Sequence, residues 1–269
     1  MENKNILFIS QEIIPYLPES PMANIGRHLP QTIQEEKNEV RVFMPRFGNV
    51  NERRNKLHEV IRLSGMNLII NDLDHSLIIK VASIQAARMQ VYFIDNEEYF
   101  KRKYTVKDKN GKFCEDNDER MIFFSRGVLE TVKKLRWTPD LIHCQGWFSA
   151  LAPLFIKTAY KDDPLFENAK VIYSIYDDSF DNSFDESFKE KIKIDNITDK
   201  ELSKFDKPNY EDLTKLALKY SDGVIFAQPN IDESIVKIAK DSKLPLLEYE
   251  ETEDYAKNYS DFFEQVLTK

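Results

Sequence analysis

Residues 15–30 read PYLPESPMANIGRHLP and follow ILFIS at 6–10, a short apolar run with the composition of a β-strand. A phosphate-binding α/β protein places a glycine-rich turn at that junction, because bare backbone N–H groups must come close to the anion. Here the turn holds prolines, Glu19 and Ser20, and its one glycine, Gly26, comes late. Other chemistry-bearing patterns are also incomplete. The triplets DLD (72–74) and DND (116–118) match the D-x-D that holds a metal in some sugar transferases, but among 46 acidic residues such triplets arise by chance. The acids of YDDSFDNSFDESF (176–188) do not make an EF-hand, which needs glycine at its sixth position. Phe180, Phe184 and Phe188 recur there at i, i+4 and i+8. That spacing predicts an amphipathic segment over apolar surface, which also offers a docking face for a partner. Cys114 and Cys144 lack C-x-x-C spacing and cannot build a disulfide framework, so a reduced, cytoplasmic setting is expected. Cys144 ends an apolar run and is expected as buried filler.

These groups act only where the fold positions them. Apolar runs at 6–10, 40–44, 68–71, 76–83, 91–95, 140–144, 170–176, 223–227 and 244–249 alternate with segments of helical period. This is the pattern of an α/β, Rossmann-like fold with a mostly parallel sheet flanked by helices. Several runs lack alternation, as strands buried on both faces do. Met121, Phe124, Val128, Val132 and Leu135 predict a helix, with Asp116 and Glu119 as its capping box. Further helices are expected over 150–160 and 209–221, and over 230–242 directly after the 223–227 strand. A C-terminal amphipathic helix over 252–267 is expected to pack back on the body. Residues 177–208 read as a loop with a short helix. Residues 1–269 are expected to form a single domain.

Bulk numbers exclude some functions. The net charge is 38 − 46 = −8, with no basic block, which argues against a nucleic-acid partner. No run approaches the roughly 20 apolar residues of a membrane helix, and the N-terminus lacks the apolar core of a signal peptide. No cofactor and no metal are expected.

Five strings carry a more specific message: MPRFGNV (44–50), VYFIDNEEYFKRKY (91–104), DNDERMIFFSRGVLE (116–130), WTPDLIHCQGWFSALAP (137–153) and LALKYSDGVIFAQPNIDESI (216–235). In this order they resemble the N-terminal domain of bacterial glycogen synthases and plant starch synthases, glycosyltransferase family five. The resemblance implies one half of a two-domain GT-B fold. It also implies transfer of glucose from ADP-glucose or UDP-glucose to the non-reducing end of an α-1,4-glucan, with retention and without a metal. The donor would lie between the halves, and no second Rossmann unit fits in the remaining residues.

The same resemblance assigns the loops. The family's first loop reads roughly S-E-x-x-P-F-x-K-T-G-G-L-A-D and leads into a helix that ends in Leu-Pro. Ser10, Glu12, Pro15, Ala23, Leu29 and Pro30 match it. The lysine falls on Pro18, the glycine pair on Ser20 and Pro21, and the aspartate on Asn24. Proline offers neither a charge for the leaving nucleotide nor a backbone N–H. The second loop, H-x-H-D-W-H-T, aligns with HCQGWFS: His143 and Trp147 persist, while Gln145, Gly146 and Phe148 replace histidine, aspartate and histidine. The third, T-I-H-N, places Tyr176 and Asp177 in the histidine and asparagine positions. The candidate cleft residues are therefore Glu12, Asn24, His143, Gln145, Tyr176 and Asp177, and no catalytic residue is assigned. Glu12 serves equally as a helix-start or salt-bridge group, and His143 and Trp147 as core. Arg46, Asp95 and Arg120 are expected to hold loops.

Three readings follow. The first is a glycogen-synthase-related domain, catalytically impaired alone, acting as a scaffold, glucan-binding or regulatory subunit of α-glucan synthesis. The second is a half-transferase whose donor half comes from another chain. The third is a protein-interaction module on the same scaffold. Expected partners are an α-glucan or sugar nucleotide, and a partner chain or a second copy.

Overall fold

A computed structural model describes residues 1–194, 196–203 and 205–269. Positions 195 and 204, within the loop expected over 177–208, lie outside the described residues. The chain begins with β1 (Asn5–Ser10), α1 (Pro21–Glu35), β2 (Glu39–Pro45), α2 (Glu52–Asn55) and β3 (His58–Glu59). Then come β4 (Met66–Ile70), β5 (Leu73–Ile84), β6 (Met89–Asp95), α3 (Glu97–Phe100) and α4 (Asn117–Leu135). The second half holds β7 (Leu141–Gln145), α5 (Ala152–Lys157), β8 (Lys170–Ile175), α6 (Ser187–Ile192) and α7 (Tyr210–Lys219). It closes with β9 (Gly223–Phe226), α8 (Glu233–Asp241), β10 (Leu246–Leu247) and α9 (Tyr255–Leu267).

Among the described residues the sheet runs β10-β9-β8-β7-β1-β2-β6-β5-β3, with β4 paired to β5. Neighbours from β10 to β6 are parallel, and the β5, β3 and β4 pairings are antiparallel. The unbroken apolar runs are explained by burial on both faces: Ile6 to Ile9 and Leu141 to Cys144 are inaccessible to solvent. On one face α1 packs against α9, whose Phe263 ring sits 6.4 Å from Phe8 and 5.2 Å from His143. On the other, α4 presses Gly127 against Ile94 and Leu77, where an added Cβ would come within 2.9 Å of Ile94. The register sets Ser10 beside Gln145, Gln145 beside Ser174 and Ile175 beside Phe226. The loops after β1, β7, β8 and β9 therefore leave one edge of the sheet together, where open α/β sheets bind ligands.

The C-terminal helix packs back through Phe262, Phe263 and Val266, whose burial is worth about 2 kcal/mol each. The Met1 amino group lies 3.5 Å from the Glu264 carboxylate, and the Ser260 hydroxyl donates to Glu36. The two ends of the chain meet on this side.

Several expectations need correction. Asp116 precedes α4 but makes no side-chain cap; its carboxylate pairs with Arg102 instead, and Glu119 bonds Lys191 and the Tyr99 hydroxyl. The long-range cations outbid the local cap. Helix α1 does not end at Leu29-Pro30. It runs on to Glu35, because the burial of Leu29, Pro30 and Ile33 outweighs one missing N–H. The helix expected over 150–160 shrinks to Ala152–Lys157 behind a 3₁₀ turn at Trp147–Ser149. Of the strand expected over 244–249 only Leu246–Leu247 pair, and the C-terminal helix starts at Tyr255. Phe180 and Phe184 are buried with Phe188, but only Phe188 is helical. They close over Phe113 and Trp147, so clustering of rings, not helical period, explains their spacing.

Beside β2 and β6, charged side chains are buried among ion pairs and aromatic rings. Asp95, 2% exposed, receives Arg46 at 3.1 Å and Lys80 at 2.9 Å. Arg120 is fully buried and donates to the Thr105 carbonyl and Asn117. The rings of Phe47, Phe100 and Phe148 surround its guanidinium at 5.3–5.7 Å, and burial pushes it down to about 10.

Candidate functional site

The first loop is organised around its own helix start. Ser20 caps α1 by accepting from the Ala23 N–H at 3.0 Å, and its hydroxyl donates to Glu12 Oε2 at 2.7 Å. The positive end of α1 thus already faces a carboxylate of the chain itself. Pro18 and Pro21 are exposed, and Pro21 is the first residue of the helix, where a missing N–H costs nothing. Asn24, half-buried, donates to Glu19 at 3.2 Å.

At the end of β7 the backbone turns at Gly146, with φ +79°, a conformation that favours glycine. A Cβ there would lie 2.8 Å from both Gln11 Oε1 and Met22 Cε. A side chain at this position would require the ends of Gln11 and Met22 to move aside. Gln11 is held in place because its Oε1 accepts from the Phe148 N–H at 3.0 Å, while its own N–H donates to the Gln145 carbonyl. Met22 belongs to a small apolar cluster with Tyr176 and Ala227 that seals the ends of β8 and β9.

Below that seal runs a neutral hydrogen-bonded row. His143 Nε2 lies 2.6 Å from Ser174 Oγ, and His143 Nδ1 lies 3.3 Å from Gln145 Nε2. The Tyr176 hydroxyl donates to Gln145 Oε1 at 3.2 Å. Burial pushes the His143 imidazole down to about 3 and raises the Tyr176 phenol well above its usual range. His143 is therefore a neutral, satisfied histidine with no route to solvent. The structure brings His143, Gln145 and Tyr176 into one row. It sets Glu12 under Ser20 and leaves Asp177 exposed, with its N–H bonded to Gln228.

Asp178, beside Asp177, is the more embedded carboxyl. It accepts from the Tyr210 hydroxyl at 2.7 Å and the Trp147 N–H at 3.2 Å. Burial pushes it up to about 7, the Glu12 charge adds to this, and the two donors oppose it. Sequence reasoning assigned its neighbour and missed Asp178, Gln11 and Met22. The only signal for Met22 was its place on the apolar stripe of α1 with Leu29 and Ile33.

Above these loops lies a cavity of about 460 Å³, between the start of α1, the end of β9 and the segment 247–259. Asn24 is the candidate residue that reaches it; Ile25, Phe226 and Leu247 give it apolar walls. Among the described residues, no three His, Cys, Asp or Glu side chains group as a metal site, and no helix is long and apolar enough to cross a membrane.

A family model described as the starch synthase catalytic domain matches residues 5–245. The glycogen synthase of Chlorobium limicola is 38% identical over 175 residues, covering 65% of this chain and 36% of that protein. The glycogen synthase of Chlorobaculum tepidum is likewise 38% identical over 175 residues, 36% of its length. The chain therefore spans about a third of the length of these curated relatives. The catalytic domain of starch synthase IV from Arabidopsis thaliana, solved with ADP and acarbose, superposes with a TM-score of 0.73 at 17% identity. That match covers 92% of this chain and 51% of the other, and it shows a shared GT-B-type fold.

Proposed function

Because this chain belongs to the starch synthase catalytic domain family, we propose that it serves α-1,4-glucan synthesis without itself transferring glucose, as a glucan-binding, scaffolding or regulatory subunit. One observation carries the reading: the space beyond Gly146, where the family resemblance places a carboxylate, is filled by Met22 and Gln11. A single lost side chain leaves a hole that a ligand or water can use. Here the ends of Met22 and Gln11 lie in that space and would have to withdraw before a reacting group could enter. Two further features agree. His143 is buried in neutral form, so it offers no acid or base to a substrate, and Pro18 supplies no charge to a departing diphosphate. Of the candidate cleft residues, Asn24 is left to touch a bound glucan from the cavity. In this reading residues 1–269 act as one unit.

The test is incubation of the pure protein with radiolabelled ADP-glucose and glycogen, beside native gels cast with and without glycogen. No incorporation with retarded migration is expected. Incorporation above the enzyme-free control would overturn the reading, and unretarded migration would favour an interaction module that has no glucan role.

A further inference from the structure

Strands β2 and β6 pair only from Val42 and Val91 onward. Before that point β2 is held by β1 alone, from Glu39 to Arg41, and β6 by β5 alone, at Met89 and Gln90. The seam opens there into a cavity of about 470 Å³, at the end of the strands opposite the candidate site. Its walls carry Arg41, Arg88 and Tyr92 with the amides of Gln34, Gln85 and Gln90, and among the described residues no aspartate or glutamate lines it. Arg41 is paired with Glu39 at 2.7 Å, whereas Arg88 has no ion pair among the described residues. Two guanidinium groups thus face one carboxylate. Tyr92 is 8% exposed and its ring stacks on Phe43 at 4.9 Å. Its hydroxyl and the three glutamine amides make no hydrogen bond among the described residues.

A buried phenol whose hydroxyl finds no partner in its own chain calls for one from outside. What this cavity lacks is an acceptor for its guanidinium and amide N–H groups. Guanidinium groups match oxyanions best, because their paired N–H donors fit two oxygens at once. The chain as a whole carries −8, so a cavity with excess positive charge and no lining carboxylate is a local exception. The carbonyl end of α1, which carries Gln34, opposes an anion, and this places the charge of a ligand on the arginine side. About 470 Å³ falls within the roughly 300–1,000 Å³ typical of small-molecule sites, more than a bare phosphate ion fills. We propose that this cavity binds a small phosphate monoester, with its phosphate at Arg88 and Arg41 and its organic part between Tyr92 and the glutamine amides. The site is separate from the cavity of the glucan-linked reading, and neither depends on the other.

Calorimetric titration of the full chain with glycerol 3-phosphate, inorganic phosphate and glycerol, all at one ionic strength, tests it. Saturable one-to-one binding of glycerol 3-phosphate is expected, with inorganic phosphate weaker and glycerol without effect. Arg88 is exposed, so Arg88→Gln removes the charge without disturbing the core and should weaken binding roughly tenfold. Tyr92→Phe keeps the ring on Phe43 and should weaken it about fivefold, the loss of one hydrogen bond, with thermal unfolding unchanged. Lys109→Gln, an equal charge change at an exposed position away from the cavity, should leave affinity within about twofold. The proposal is overturned by absence of saturable binding, by inorganic phosphate or glycerol binding as tightly as glycerol 3-phosphate, by full affinity in Tyr92→Phe, or by equal weakening in Arg88→Gln and Lys109→Gln.

Discussion

Two parts of the sheet edge treat polar residues in opposite ways. Beside β2 and β6, the buried Asp95 holds the partly buried Arg46 and Lys80 in a charged cluster, and the fully buried Arg120 sits in a cage of phenylalanines. At the ends of β7 and β8, His143, Gln145 and Tyr176 are buried as neutral groups bonded to one another under Met22 and Ala227. Arg46, Asp95 and Arg120 lie in strings that carry the family resemblance, whereas Gln145 and Tyr176 stand where that resemblance places histidines. Residues that hold the fold together must keep their charges, because a buried ion without its partner is costly. Neutral residues that satisfy one another's hydrogen bonds face no such penalty. The contrast supports reading the second region as repacked, not merely eroded.

The comparison can be broken at either end. Asp95→Ala should have the largest effect, a loss of about 3 kcal/mol in urea unfolding, because Arg46 and Lys80, both partly buried, would lose their buried anion and keep only the more exposed Glu52. A small loss would mean that the charged cluster is not structural. Next is pH. His143 titrates near 3 in the folded chain and at the ordinary histidine value when unfolded. Stability from this group is complete above about pH 6.5 and falls as the unfolded chain takes up a proton, by about 3 kcal/mol at about pH 4. His143→Asn should show a correspondingly smaller drop between about pH 7 and about pH 4; an unchanged drop would show that His143 is not the source.

Gly146→Ala tests the repacking directly. It should cost about 2 kcal/mol, from the positive φ and from contact with Met22 and Gln11. Pairing it with Met22→Ala should return part of the crowding cost in a double-mutant cycle, whereas strict additivity would remove Met22 from the explanation. The smallest effect is expected for Tyr176→Phe, about 1 kcal/mol for one hydrogen bond to Gln145.

Elements governed by local pattern were legible in the sequence. The apolar strands, the long α4 stripe, the buried Cys144 and the βα step into α8 follow from periodicity and burial. What escaped depended on partners distant in the chain. Asp116 has every local feature of a cap, yet Arg102 claims it. Pro30 looks like a terminator, yet the packing of α1 carries the helix through it. At the site, sequence comparison marked the positions that had changed, but not what fills them. Met22 reaches Gly146 only because β1 and β7 are neighbours in the sheet, a fact of register that no local spacing encodes. Asp178 was overlooked for a related reason: alignment stops at the adjacent position, while burial distinguishes the two aspartates.

The meeting of Met1 with the last helix has a practical consequence. With the first residue beside Glu264, a short linker would join the ends, and the chain could be reopened at the exposed Asn110–Gly111 turn. No strand of the large sheet would be cut. Such a circular permutant would set β7 through β10 ahead of β1 and β2 in the order of synthesis, although β1 lies between β7 and β2 in the finished sheet.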